Sequence, residues 1–150
     1  MLLHSEWRAR QLCELASMVD VTVSQETPDD NSWLVRMEGP ALLPVAQEWT
    51  KGAVKTVPAQ WRLSDRALQV WALVAGVLDE SGMCFGLDAH IAQHEELRKR
   101  AAEALQKLGA ASSYVGPRAG GPALRVVGQR RLANVMTIVG EPPEDGSWDA

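Results

Sequence analysis

An internal repeat constrains the fold of this chain more than any other feature of its sequence. The segment that starts at His4, HSEWRARQLCELASMV, runs parallel to the segment that starts at His94, HEELRKRAAEALQKLG. In both segments a histidine, a glutamate, two arginines and a leucine occupy the same relative positions. The apolar residues of the second segment recur at the spacing of one helix face, at Leu97, Ala101, Leu105 and Leu108. The repeat therefore predicts two amphipathic helices, each of which packs its apolar face against further structure.

Two strands and a short helix are predicted after each amphipathic helix. The strands cover 21–24 and 33–38 in the first copy, and 112–115 and 123–127 in the second. The segments between the paired strands are rich in Pro, Gly and Asn, which supply the backbone angles of a chain reversal. Each second strand carries an arginine, Arg36 or Arg125, and leads into a helix predicted over 40–49 or 129–138. The repeated unit is therefore helix, strand, strand, helix.

Between the two copies, residues 51–92 contain a long apolar segment. Ser64 is a suitable N-cap residue, and Asp65 in the first turn is favourable at the positive end of the helix dipole. Apolar side chains then fill almost every position up to Leu78. We therefore predict a buried helix over 65–82, whose apolar part is too short to span a bilayer.

Two acidic residues, Asp79 and Glu80, would lie at the C-terminal end of this predicted helix. The helix dipole disfavours negative charge at that end, and a bound cation would relieve the penalty. Carboxylates at the exposed end of a buried helix are also commonly just solvated. From the residues alone, a metal site and a solvated helix end both stay open.

Charge and cysteine usage limit the possible partners. The formal net charge is −4 and the sequence pI is about 5.4, so the chain as a whole does not attract phosphate, which counts against tight nucleic-acid binding. Cys13 and Cys84 lie far apart without close Cys or His neighbours, and we interpret both as reduced, small core residues. The N-terminus lacks the apolar core of a signal peptide, which predicts a cytoplasmic protein without a membrane partner.

Residues 74–82, VAGVLDESG, resemble the nine-letter motif of the LAGLIDADG (dodecapeptide) homing endonucleases, especially the endonuclease domains embedded in inteins. Ala, Gly, Asp and the final Gly match the motif, and Val, Val and Leu are conservative replacements. Upstream, Lys55-Thr56-Val57-Pro58 is similar to the Lys-x-Ile-Pro segment that precedes the second motif helix in intein endonucleases. The resemblance covers nearly the whole chain.

The resemblance implies an α+β fold built from the family's repeat, which is a motif helix, a hairpin, a helix, a second hairpin and a final helix (αββαββα). This chain would contain one and a half such repeats around a buried motif helix. Residues 1–50 would form the partial first repeat, and residues 51–139 the second repeat, with its LAGLIDADG-like helix over 65–82. The Pro-rich, acidic segment 140–150 is predicted to be a flexible tail.

The resemblance also implies a chemistry, which is metal-dependent cleavage of double-stranded DNA with Mg²⁺ as the cofactor. In the family, two motif helices pack side by side, their ends present acidic residues to divalent metal ions, and the strands form a saddle over the DNA major groove. The metal ions stabilise the attacking and leaving oxygens and generate the nucleophilic hydroxide. The candidate metal ligands here are Asp79 and Glu80, and Lys55 matches the family's catalytic lysine.

One position of the motif departs from the family pattern. Ser81 stands where the family has its metal-binding acid, and it completes the set of candidate catalytic residues with Lys55, Asp79 and Glu80. A serine hydroxyl is a weaker ligand for a hard divalent cation than a carboxylate. We therefore predict that cleavage is weakened or lost.

The DNA partner implied by the resemblance would be contacted by arginines. Arg36, Arg118 and Arg125 are the candidates for contacts with phosphates or bases, and the alternative is that they are ordinary exposed arginines. The missing second motif helix would come from a homodimer, through the face 72–76, or from a separately encoded chain.

Three functional hypotheses follow. The first is a homing-endonuclease-like nuclease domain with weakened cleavage. The second is a DNA-binding regulator that has lost cleavage. The third, which the acidic pI favours, is a protein-interaction module that buries the apolar face of the motif helix against another protein.

Overall fold

The computed structural model describes residues 1–149, and the chain divides into two compact units between Gln47 and Glu48. Each unit combines helices with antiparallel strands, so the predicted α+β class is confirmed. Each unit has its own antiparallel sheet and its own buried core.

In the first unit, a helix packs against a small antiparallel sheet. The elements are β1 (Leu2–Leu3), α1 (Glu6–Ser17), β2 (Thr22–Asp29) and β3 (Ser32–Glu38), and α2 (Leu42–Trp49) follows. The three strands pair in the order β1-β3-β2. Ala9, Leu12 and Ala16 share one face of α1, and this face is buried, as is Val35 of β3.

The second unit is built around an antiparallel sheet of four strands in the order β6-β7-β9-β8. A small hairpin of β4 and β5 precedes α3, and a 3-10 turn, Pro117–Ala119, lies between β8 and β9. From α3 onward the order is helix, hairpin, two consecutive helices, hairpin and helix. The elements are β4 (Thr50–Lys51), β5 (Val54–Lys55), α3 (Asp65–Ala75), β6 (Gly76–Asp79), β7 (Gly82–Gly86), α4 (Ala89–Gln93), α5 (Glu95–Lys107), β8 (Ser112–Val115), β9 (Ala123–Val126) and α6 (Gln129–Val139).

The core of the second unit lies against one face of this sheet. Met83 and Phe85 of β7 have no exposed surface, whereas Cys84 between them is only half-buried, as the alternation of strand side chains requires. The side-chain amide of Gln69 donates to the Ile138 carbonyl at 2.8 Å and so links α3 to α6. The fully or almost fully buried large side chains of this unit include Leu68, Leu73, Met83, Phe85, Leu105, Leu124 and Val126.

The internal repeat is visible in the register of two hairpins. Ser24 lies opposite Arg36 in the β2–β3 hairpin, and Ser113 lies opposite Arg125 at the corresponding position of the β8–β9 hairpin. The neighbouring pairs correspond in the same way. The preceding helices each carry a glutamate–arginine ion pair one turn apart, Glu6 with Arg10 and Glu96 with Arg100. The predicted order of helix, strand, strand, helix is confirmed in both copies.

The predicted helix over 65–82 is wrong in its second half. α3 ends at Ala75, and β6 starts at Gly76, whose φ of −91° and ψ of 136° are those of a strand. All four residues of β6 pair with β7. A short segment that is apolar at nearly every position can form either a buried helix or a buried strand. The β-branched side chain of Val77 favours the strand. The motif residues 74–82 therefore form a helix end, a strand and a turn.

Asp79 and Glu80 consequently lie in a hairpin turn and not at a helix end. The turn joins β6 to β7, and Asp79 lies opposite Gly82. Oδ1 of Asp79 accepts a hydrogen bond from the Ser81 backbone N–H at 2.7 Å, as is typical of an aspartate that begins a turn. The helix dipole therefore gives no reason for a cation at these carboxylates, because the helix ends at Ala75.

The acidic segment 140–150 is not simply a flexible tail. Residues 140–149 contain no helix or strand, but the Trp148 side chain is only 3% exposed. Its Nε1–H donates to the Gly140 carbonyl at 3.1 Å, and its carbonyl accepts from the Leu78 N–H at 2.9 Å. The prediction overlooked that one large apolar side chain can anchor a polar segment. Residue 150 of the predicted tail lies outside the described residues.

Candidate nucleic-acid interface

A row of side chains crosses all four strands of the sheet on the face opposite the core. The register places Val77 beside Cys84, Cys84 beside Arg125, and Arg125 beside Ser113. Side chains at paired positions share a face of the sheet, and the residues on either side of Cys84 point into the core. Ser113 is exposed and the other three are half-buried. We call these four residues the sheet row.

Arg125 of the sheet row is held by two neighbours. Its Nε donates to the Cys84 Sγ at 3.2 Å, and one terminal nitrogen lies 3.5 Å from Oδ2 of Asp79. The Cys84 sulfur, and to a smaller extent the Asp79 carboxylate, hold the pKa of Arg125 above its ordinary value. Because arginine is charged in any case, these contacts act mainly by orienting the guanidinium. The structure thus brings together Asp79 and Arg125, to which the sequence had assigned different roles.

The hairpin turn does not fit the Mg²⁺ ion that the resemblance implies. Magnesium requires a nearly octahedral set of oxygen ligands. One carboxylate oxygen of Asp79 accepts the Ser81 N–H, and the other faces Arg125. Glu80 supplies one further carboxylate. Within residues 1–149, no group of three or more His, Cys, Asp and Glu side chains could hold a metal ion.

Lys55, the predicted catalytic lysine, is engaged by a residue that the sequence did not single out. Its Nζ lies 2.5 Å from Oδ2 of Asp88, whose Oδ1 accepts the His90 N–H as the N-cap of α4. The hydrogen bond from Lys55, with a smaller contribution from the His90 N–H, holds the pKa of Asp88 below its ordinary value. The ion pair of Lys55 is therefore with Asp88, whereas Asp79 faces Arg125. The signal for Asp88 was an aspartate directly before a short helix.

The other two candidate DNA contacts are exposed. Arg118 lies in the 3-10 turn between β8 and β9, in the same unit as Arg125. Arg36 lies on β3 of the first unit, where its Nε is 3.6 Å from the Glu26 carboxylate and its side chain is 54% exposed. The three arginines thus lie on two strands and one loop, and only Arg118 and Arg125 belong to one compact unit.

The face 72–76, which was one of two predicted routes to a second motif helix, is already buried inside the chain. Ala72 has no exposed surface, and Gly76 is buried. A Cβ at Gly76 would lie 2.5 Å from the Ala72 carbonyl oxygen and 2.8 Å from the Met83 methyl group. The small residues therefore permit close packing between α3, β6 and β7 rather than the approach of another helix.

The chain matches no protein-family model, no curated protein and no solved structure. Among residues 1–149, no helix is long and apolar enough to cross a membrane.

The main residue that sequence reasoning assigned to the wrong place is Cys84. It was interpreted as a small core residue, yet its thiol lies in the sheet row and accepts a hydrogen bond from Arg125. Its apolar neighbours Met83 and Phe85 could have indicated this position. Side chains alternate between the two faces of a strand, so a residue between two core residues points away from the core.

Proposed function

We propose that this chain is a DNA-binding domain with a LAGLIDADG-like architecture, which contacts double-stranded DNA through the sheet row, and in which cleavage has been weakened or lost. The order of elements from α3 to α6 supports the architecture. Helix, hairpin, helix, hairpin and helix is the order that the resemblance implies, with α4 and α5 together in the middle position.

The observation that carries the proposal is the charged arginine at the centre of a sheet face that is not covered by the core helices. A guanidinium has five N–H donors, of which Cys84 and Asp79 engage two. The remaining donors can bind a phosphate or a base edge. Since Arg125 is held from the side of the sheet, it loses little conformational freedom when it binds.

The repeat adds a second arginine of the same kind. Arg36 occupies the position of Arg125 in the other hairpin, opposite a serine in both cases. A duplicated hairpin that keeps an arginine at one position is expected of a protein that contacts a repetitive, negatively charged ligand. Double-stranded DNA is such a ligand.

Loss of cleavage is supported by the engagement of the candidate catalytic residues. Ser81 contributes a hydroxyl where the family has a carboxylate, and Asp79 is occupied by the turn and by Arg125. Lys55 is paired with Asp88. Asp79 and Lys55 are thus each engaged by a neighbour within their own unit, which opposes a role for either in activating a water molecule.

The sheet row leads to a specific expectation for DNA binding. Arg125→Gln is expected to raise the dissociation constant for a short labelled duplex about tenfold and to reduce the salt slope of binding by about 1. Ser113→Asp, which places a negative charge in the same row on an exposed strand position, is expected to weaken binding at least as much. Fluorescence anisotropy at low salt measures both, because added salt weakens contacts between arginine and phosphate.

Arg66→Gln is the matched control, since it removes the same charge from the exposed first turn of α3. It should leave the dissociation constant within about twofold of the wild type. If Arg66→Gln weakens binding as much as Arg125→Gln, the overall charge determines binding and the sheet row does not. Absence of any DNA binding by the wild type at low salt would overturn the proposal.

A cleavage assay addresses the second half of the proposal. The wild-type protein is expected neither to nick nor to linearise plasmid DNA in the presence of Mg²⁺ or Mn²⁺, and Ser81→Asp tests whether one added carboxylate restores cleavage. The proposal of weakened cleavage fails if the wild type cuts DNA and Lys55→Ala abolishes the cutting.

The interaction-module hypothesis has one supporting observation. Leu43 and Val45 of α2 are 61% and 51% exposed, and apolar side chains at such exposure are candidates for protein contacts. The motif helix itself is a poor candidate, because Leu68, Ala72 and Leu73 are already buried. This hypothesis becomes the leading one if the wild type fails to bind DNA.

A further inference from the structure

A groove of about 230 Å³ in the second unit lies outside the four-stranded sheet and is rich in basic side chains. Its walls come from the β4–β5 hairpin, from α4 and from the N-terminal half of α5. We call it the basic groove. The nitrogen-bearing side chains that line it are Lys51, Lys55, His90, His94 and Arg100.

Local contacts hold the walls of the basic groove in place. Arg100 donates to the Val57 carbonyl at 2.8 Å and thereby joins α5 to the segment after β5. The rings of His90 and His94 lie with their centroids 4.4 Å apart. Nδ1 of His94 lies 2.8 Å from the His90 carbonyl oxygen, and since a carbonyl only accepts, this nitrogen carries the proton. The His94 imidazole is therefore held by a hydrogen bond, and the His90 ring lies against it.

The charges in the basic groove do not cancel. Lys55 is paired with Asp88, and Arg100 is paired with Glu96. Lys51 forms no ion pair within 4.0 Å among residues 1–149 and is exposed. One ammonium group is thus left without a counter-charge beside two imidazoles.

We propose that the basic groove binds the phosphate group of a phosphorylated ligand. Lys51 provides the uncompensated charge, the imidazoles of His90 and His94 provide polar nitrogens in the wall, and Lys55 and Arg100 add positive charge while they remain paired. Positively charged groups on several elements around one groove suit an anion with several acceptor oxygens, such as phosphate. The same charges oppose binding of a metal cation. This site is independent of the sheet row, since the two share no residue.

Inorganic phosphate is the first probe, and the imidazole resonances of His90 and His94 in NMR spectra of the full chain are the readout. Phosphate is expected to shift both sets of resonances saturably at constant ionic strength, and chloride is not. Lys51→Gln is expected to raise the dissociation constant about fivefold. Lys99→Gln, which removes the same charge from a residue of α5 that does not line the groove, should leave it within about twofold.

The source of the phosphate group is decided by two further probes, adenosine monophosphate and a short DNA duplex. If the mononucleotide shifts the histidine resonances and the duplex does not, the ligand is a small phosphorylated molecule. If the duplex shifts them and Lys51→Gln weakens its binding, the phosphate belongs to a DNA backbone. Both results support the site, whatever the Arg125→Gln experiment shows. Unsaturable shifts, or equal effects of Lys51→Gln and Lys99→Gln, would overturn it.

Discussion

Replacement of Trp148 by alanine is expected to lower the free energy of unfolding by about 3–5 kcal/mol. The indole is 3% exposed, and its truncation leaves a cavity and removes the hydrogen bond to the Gly140 carbonyl. It also loosens the segment around residue 148, whose backbone carbonyl accepts a hydrogen bond from the Leu78 N–H in β6. Chemical denaturation measures the change directly, and the midpoint of thermal unfolding should fall by more than about 10 °C.

Two further variants separate the effect of the indole from that of the segment. Trp148→Phe retains most of the buried ring and loses the N–H donor, so an intermediate loss of about 1–2 kcal/mol is expected. Glu144→Ala alters an exposed residue of the same segment and should change stability by less than about 0.5 kcal/mol. Equal stability of Trp148→Ala and Glu144→Ala would show that the segment is the flexible tail that its composition predicts.

Gly82→Ala is expected to destabilise the second unit by about 3 kcal/mol or more. Gly82 has a φ of +134°, which side chains other than glycine rarely adopt. A Cβ there would also lie 2.2 Å from the Val126 carbonyl oxygen in the neighbouring strand β9. Because backbone atoms cannot move aside as a flexible side chain can, strand pairing next to the turn would be disturbed. Urea denaturation and the dispersion of amide resonances report the loss.

Gly116→Ala is the control for this substitution. Gly116 has a φ of −75°, and a Cβ there would have no atom within 4 Å. Its replacement should be neutral or slightly stabilising, because alanine restricts the unfolded chain more than glycine does. A Gly82→Ala variant as stable as Gly116→Ala would contradict the hairpin geometry at residues 79–82.

The repeat was the part of the fold that the sequence predicted best. The strand 112–115 has its predicted bounds, and 123–127 is one residue too long at its end. Turn-forming residues and strand alternation are local signals, so short-range reasoning recovers them. The strand β2 extends to Asp29, beyond the predicted 21–24, since its residues are exposed and carry no apolar pattern.

The segment after Ala75 could not be predicted from local signals. Its residues are apolar in a row, and their state depends on whether a strand partner is present. β7, GMCFG, is that partner, and two glycines in five residues weaken its own strand signal. β1, β4 and β5 are two-residue strands, which form only because a neighbouring segment supplies the hydrogen bonds.

For the candidate site as well, the sequence predicted the position of one residue but not its contacts. Arg125 was predicted because it recurs in both copies, and its position on an outward strand face follows from alternation. Its contacts with Cys84 and Asp79 join residues from three different strands, and the pairing of Lys55 with Asp88 joins two elements on either side of α3. The hydrophobic pattern of a single helix or strand cannot predict such contacts between different elements.

The sequence by itself determined the duplicated unit of helix, strand, strand, helix, because hydrophobic periodicity and turn residues act over a few neighbouring positions. Only the tertiary structure decided that the motif residues 76–79 form a strand, that Trp148 is buried, and that Asp79 faces Arg125. These outcomes depend on hydrogen-bond partners and apolar surfaces that lie far away along the chain, and those become neighbours only when the sheet and the core assemble.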